Sequence, residues 1–155
     1  MAPSSVTPDQ ALLEALRRKR AELRGSMDAL ELALAAPAPV GQARWAERVD
    51  VALVELSADF REHIDVTEGQ DGLYADLRAA APRLSDAVAR LAREHRQIRE
   101  LLDDLLARVR IPDSKTDVER VRDLGTNLLG LLVRHRQRGS DLVYEAYELD
   151  LGGET

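Results

Sequence analysis

Three histidines, His63, His95 and His135, are the residues of this chain best suited to chemistry, and each falls where a helix would place an apolar side chain. A neutral imidazole offers one lone pair and titrates near neutrality, so it can ligate a metal, move a proton or hydrogen-bond a neighbour. The chain has no Cys, which excludes disulfides, thiolate ligands and cysteine nucleophiles. It also lacks a phosphate-binding glycine loop, a Gly-x-Ser-x-Gly elbow and a His-Glu-x-x-His pair. Metal chemistry centred on the histidines is the reaction type left with support.

Those imidazoles need long helices to position them, and the spacing of apolar residues predicts four. Thr7-Pro8-Asp9-Gln10 reads as a helix start with Thr7 as N-cap, after a loose tail over 1–6. The first helix runs to about Ala36, its buried stripe being Leu13, Leu16, Arg20, Leu23, Met27, Leu30 and Leu34. Pro37-Ala38-Pro39 breaks it. The second helix starts near Gln42 and carries Val49, Leu53, Leu56, Phe60, His63 and Thr67 on one face, with Gly69 and Gly72 loosening or kinking it. A short helical piece from Leu73 to Ala81 follows. Pro82 opens the third helix, whose stripe includes Leu91, His95, Ile98 and Leu102, and Ile111-Pro112-Asp113 ends it. Thr116 with Glu119 forms a capping box for the fourth, which runs to about Leu149 through Leu124, Leu128, Leu131, Leu132, His135 and Leu142, with Gly152-Gly153 as its stop. The expected fold is all-α, an up-down-up-down antiparallel four-helix bundle, in a single domain over 1–155.

In such a bundle, residues equidistant from a connecting turn lie side by side. Position 79, midway between His63 and His95, falls just before the Ala80-Ala81-Pro82 turn, and position 115, midway between His95 and His135, falls in the Pro112–Thr116 loop. The three imidazoles are therefore expected at one height, within about a turn, ~5 Å. Burying them together costs several kcal/mol, roughly, unless something satisfies them. A bound cation would do so, and a purely hydrogen-bonded cluster is the competing reading. Carboxylates should complete a metal site. Glu68, five residues after His63, is the first candidate, with Gly69 permitting the bend it needs. Reflecting position 63 through the Pro37–Pro39 turn reaches position 13, beside Glu14, a candidate first-helix ligand or an ordinary solvated charge. Glu62 and Glu94 point about 100° away from their histidines and are expected on the surface. Asp141 is at best an outer group, and Tyr74, Tyr144 and Tyr147 are expected to pack the bundle ends.

Composition agrees with helices: 45% hydrophobic, 32% charged and only 3% aromatic residues. Arg supplies nearly all the positive charge, Lys standing only at Lys19 and Lys115, a bias expected of a bacterial chain of high GC content. The net charge of −6 disfavours nucleic acid as a partner. Met1–Gln10 lacks the apolar core of a signal peptide, and no apolar run approaches the ~18 residues of a membrane span, so no membrane association is expected and the expected address is the cytoplasm.

With Arg-Glu-His63, Arg-Glu-His95 and Arg-His135 on successive helices, the chain resembles the hemerythrin-like (HHE cation-binding) domain over nearly its whole length. The resemblance implies an up-down four-helix bundle holding a non-heme di-iron centre with His and carboxylate ligands, and dioxygen binding, iron or oxygen sensing, iron handling or peroxide chemistry. The departures are specific. No histidine stands on the first helix, Thr67 occupies the place of the glutamate four residues after the second-helix His, Arg99 that of a second third-helix His, and the fourth-helix carboxylate position falls on Gly139 or Ser140. A five-histidine di-iron site is thus impossible, which leaves a mononuclear site, a carboxylate-rich dinuclear site, or a bundle without metal. Imidazole with carboxylate suits iron, with Mn or Zn as alternatives.

Three functions follow as expectations. One is a metal protein, with candidate ligands His63, Glu68, His95, His135 and Glu14, that binds, senses or activates dioxygen or peroxide. Another is a metal-free structural or interaction bundle. The third is a metal-dependent oxidase with an organic substrate, which requires a cavity beside the histidines.

Overall fold

The apolar stripes read from the sequence are the buried faces of helices in the computed structural model, which describes residues 8–38, 42–111 and 117–151. The described residues form five α-helices: α1 (Gln10–Ala35), α2 (Gln42–Glu68), the short α3 (Leu73–Ala80), α4 (Ser85–Val109) and α5 (Val118–Tyr147). A 3-10 turn, Pro82–Leu84, leads into α4. No strand occurs among the described residues. The four long helices form a closed square in which α1 and α4 each pack against α2 and α5, an antiparallel bundle of the expected topology. Polar pairs show the alternation: Lys19 of α1 meets Glu62 while Ser26 meets Asp59, one number rising as the other falls.

The helix ends differ in detail from expectation. Asp9 stands at the N-cap position of α1, so the helix starts two residues beyond Pro8; Thr7 lies outside the described residues. Asp117 caps α5, its carboxylate accepting the Arg120 N–H at 3.0 Å, where Thr116, also outside the described residues, was expected. That helix stops at Tyr147 because Glu148 turns left-handed (φ 56°), giving its N–H to the Tyr144 carbonyl at 2.7 Å and sending Leu151 back into the core. Gly152 and Gly153 lie outside the described residues.

Gly69 and Gly72 end α2 instead of kinking it. A Cβ on Gly72 would stand 2.8 Å from the carbonyl oxygens of both Val66 and Thr67, and one on Gly69 would strike the Asp65 carbonyl. Only glycine lets the chain double back this tightly, and the turn folds α3 under the end of α2, which buries Tyr74.

At the opposite end of the bundle Arg122 closes α1. Its guanidinium donates to the Leu34 and Ala36 carbonyls, both at 2.9 Å, and lies 5.4 Å from the Trp45 ring centroid.

The core is in two parts. One apolar cluster holds Leu23, Phe60, Ile98 and Leu132; the other holds Leu16, Tyr74, Leu91 and Leu142. On every long helix a polar residue sits between them: Arg20, His63, His95 and His135. The histidine layer is thus a polar slice through an otherwise apolar interior.

Candidate metal centre

His63, His95 and His135 come from α2, α4 and α5, and their ligand nitrogens all lie within 4.8 Å of one another. His135 is the hub. Its Nε2 lies 3.1 Å from His63 Nε2 and 3.0 Å from His95 Nε2. Aromatic neighbours set the ring planes: Phe60 stacks on His63 with centroids 5.5 Å apart, and Tyr74 stacks on His95 at 5.6 Å. His95 and His135 are each only 2% exposed, whereas His63 keeps some surface open.

Carboxylates stand behind two of the rings. Glu68 Oε2 is 2.6 Å from His95 Nδ1, and Glu94 Oε1 is 2.8 Å from His135 Nδ1. Ionised carboxylates only accept, so both Nδ1 atoms carry the proton, and in the neutral rings both Nε2 atoms are bare. Glu94 is held in turn by Arg138, at 2.6 Å. Burial alone would raise the Glu94 carboxyl, but the His135 N–H and Arg138 bring it below its usual range.

Burial also keeps the imidazoles neutral. It lowers His135 to about 4, with His95 adding to the effect and Glu94 opposing it. His63 is pushed well below 6.5 by burial and by its two histidine neighbours. Burial lowers His95 as well, against the pull of Glu68.

Two bare Nε2 lone pairs meeting at 3.0 Å repel unless a cation or hydrogen-bond donors take them up; the donors within reach are the Tyr74 hydroxyl, 3.1 Å from His95 Nε2, and His63 Nε2, 3.1 Å from His135 Nε2. Protonating a ring is opposed by burial. A cation satisfies both, and two nitrogens at right angles around one ion, each about 2.1 Å from it, lie about 3.0 Å apart. The donor set therefore fits an imidazole-binding metal of the Fe, Zn, Cu or Ni kind.

The other residues singled out from the sequence lie elsewhere. Glu14 is exposed and accepts a hydrogen bond from Gln10; the structure does not bring it to the histidines. The α1 residue at that level is Arg20, 8% exposed and lining the same cavity as His63 and His135. The reflection through Pro37–Pro39 misses it because Lys19 and Ser26 face Glu62 and Asp59, so the first turns of α2 reach past the end of α1. Glu68 is adjacent to the cluster but faces His95 from the side away from the other rings. Glu94, expected on the surface, is buried. It sits on the flank of α4 that meets α5, and a helix packed between two neighbours buries a face wider than its apolar stripe. Tyr74, expected as end packing, places its hydroxyl 3.1 Å from His95 Nε2; that contact depends on the Gly69–Gly72 turn and has no local signal.

Two openings reach the cluster. A cavity of about 20 Å³, room for roughly one water, is lined by Arg20, His63, Thr67, Tyr74, His135 and Arg136 among others. A surface groove of about 350 Å³ runs past Glu68 and His95 between Arg96, Arg99, Glu100 and Asp103.

No curated protein and no solved structure matches the chain significantly. The family model of the hemerythrin HHE cation binding domain does match, over residues 70–147, a stretch that contains Tyr74, Glu94, His95 and His135 and begins just after Glu68. That match spans half of the 155 residues and the helices that carry two of the three imidazoles, so the chain belongs to the hemerythrin HHE cation-binding domain family.

Proposed function

We propose that His63, His95 and His135 together hold one metal ion, iron before manganese or zinc, and that the site binds a small oxidant such as dioxygen or peroxide. The observation that most supports this is the 3.0 Å meeting of His95 and His135 through Nε2 while both Nδ1 atoms are committed to carboxylates. Three nitrogens converging on one place favour a mononuclear centre. Glu68 and Glu94 serve as acceptors that fix ring orientation and make the imidazoles better donors, rather than as ligands. Glu14 has no part in this reading.

When bound, such an ion supplies Lewis acidity and, if it is iron, electron transfer, with coordination positions left open by three protein nitrogens. The chain's own groups do the rest. Phe60 and the flanking leucines exclude bulk water, and Arg20 and Arg136 bring positive charge to the cavity wall. The cavity of about 20 Å³ suits a molecule as small as an oxidant, while an organic substrate of the oxidase reading would have to enter from the groove of about 350 Å³ past Glu68 and His95.

Elemental analysis of protein purified without a His-tag tests the proposal, together with visible spectra under air and under peroxide. One metal ion per chain is expected, and His63→Ala, His95→Ala and His135→Ala should each lose it. A chain that carries no metal and keeps its stability in chelator would instead be a structural bundle with hydrogen-bonded histidines.

A further inference from the structure

Three neutral imidazoles leave the charge of a divalent or trivalent cation uncompensated. The two nearby carboxylates do not remedy this directly. Glu68 accepts from His95 Nδ1, and Glu94 is shared between His135 Nδ1 and Arg138. Both lie behind the rings, away from the facing Nε2 atoms.

One oxygen able to become an anion lies on the Nε2 side. The Tyr74 hydroxyl is 3.1 Å from His95 Nε2, the same separation as that between the Nε2 atoms of His63 and His135. Its ring stacks on His95 with an interplanar angle of 17°, and the residue is 3% exposed, so the phenol is held in place. Without metal, the O–H donates to the bare His95 Nε2. A cation that takes that lone pair removes the acceptor and leaves a buried O–H to be satisfied, which is costly. The Thr67 hydroxyl nearby gives its own proton to the His63 and Ile64 carbonyls. Loss of the proton answers both the charge deficit and the stranded donor.

We infer that Tyr74 is the fourth protein ligand, binding the metal as a phenolate beside His63, His95 and His135. The inference rests on the metal-binding reading above. In the step itself the O–H bond breaks, its electron pair is given to the cation, the proton leaves to water, and no electron is transferred. The preferred metal is then a hard, oxygen-seeking one, ferric iron above zinc.

The test is reconstitution of the full chain with ferric iron, read by metal stoichiometry, by visible absorption and by resonance Raman excited in the visible band. The wild type should bind one iron per chain, show a phenolate-to-iron charge-transfer band and display enhanced tyrosinate ring vibrations. Tyr74→Phe keeps the ring packing and should retain iron on the three histidines while losing band and vibrations, with at least tenfold weaker ferric affinity. Tyr144→Phe and Tyr147→Phe should retain both signals, and the chain has only these three tyrosines. Stoichiometric iron without tyrosinate vibrations in the wild type would overturn the assignment of Tyr74 and leave the histidine site standing. A wild type that binds no metal would overturn both. The wild-type spectrum decides the matter even if the variant folds poorly.

Discussion

His135 joins the cluster together, with one ring nitrogen facing two imidazoles and the other held by Glu94. Glu94→Gln keeps a carbonyl that can accept from Nδ1 but removes the charge and the ion pair with Arg138. Metal affinity should fall about 10–100-fold, as for other partners standing behind a ligand, measured by competition with a chelator. An unchanged affinity would show that the carboxylate only packs. The histidines also set a pH dependence for the metal-free protein. His135 titrates at about 4 when folded and at 6.5 ordinarily, so between those values the unfolded chain binds a proton that the native one refuses. Stability is therefore full above about pH 6.5 and should be lost as pH falls toward about 4; urea midpoints across that range give the measurement, and a flat series would contradict the burial described here. The three histidines were legible as a group because each interrupts an apolar stripe. Glu94 was not, since its burial depends on which flank of α4 a neighbour covers. Nor was Tyr74, whose position depends on a turn that no periodicity describes.

Helix register decides which residues share the polar slice. The connection at Pro82 is short, and counting outward from it and from the middle of the stretch between α4 and α5 sets His63, His95 and His135 side by side. The α1–α2 connection defeats the same counting because α2 overshoots α1, and Arg20, not Glu14, reaches the layer. The overshoot leaves Trp45 and the last carbonyls of α1 to be covered, and Arg122 covers both. Arg122→Ala should cost about 1–3 kcal/mol in urea unfolding, from two charge-assisted hydrogen bonds and a cation–π contact. It should leave metal content untouched, because the histidine layer is several turns away along α5. Loss of metal in that variant would mean that the bundle end and the centre are coupled.

For the molecule as a whole, the histidine layer divides the core in two, so the four long helices are held apolar to either side of a slice that is at ease only when its lone pairs are satisfied. A metal that binds the folded chain and not the unfolded one adds about 2.7 kcal/mol at a free concentration one hundred times its dissociation constant. Chelation should accordingly lower the melting temperature of the wild type by several degrees and leave His95→Ala unaffected; equal curves with and without chelator would contradict this. The all-helical class and the four long helices were legible in composition and spacing, because α-helical periodicity is written locally, and the family was legible as a resemblance carried by Arg-Glu-His63, Arg-Glu-His95 and Arg-His135. The chemistry of the centre is a matter of which nitrogen faces which atom across helices.

The most direct measurement is anomalous diffraction at a metal absorption edge from crystals of the untagged protein. One peak is expected per chain, within bonding distance of the Nε2 atoms of His63, His95 and His135. No peak there, or a peak only at the Glu22–Asp59–Glu62 group, would contradict the account.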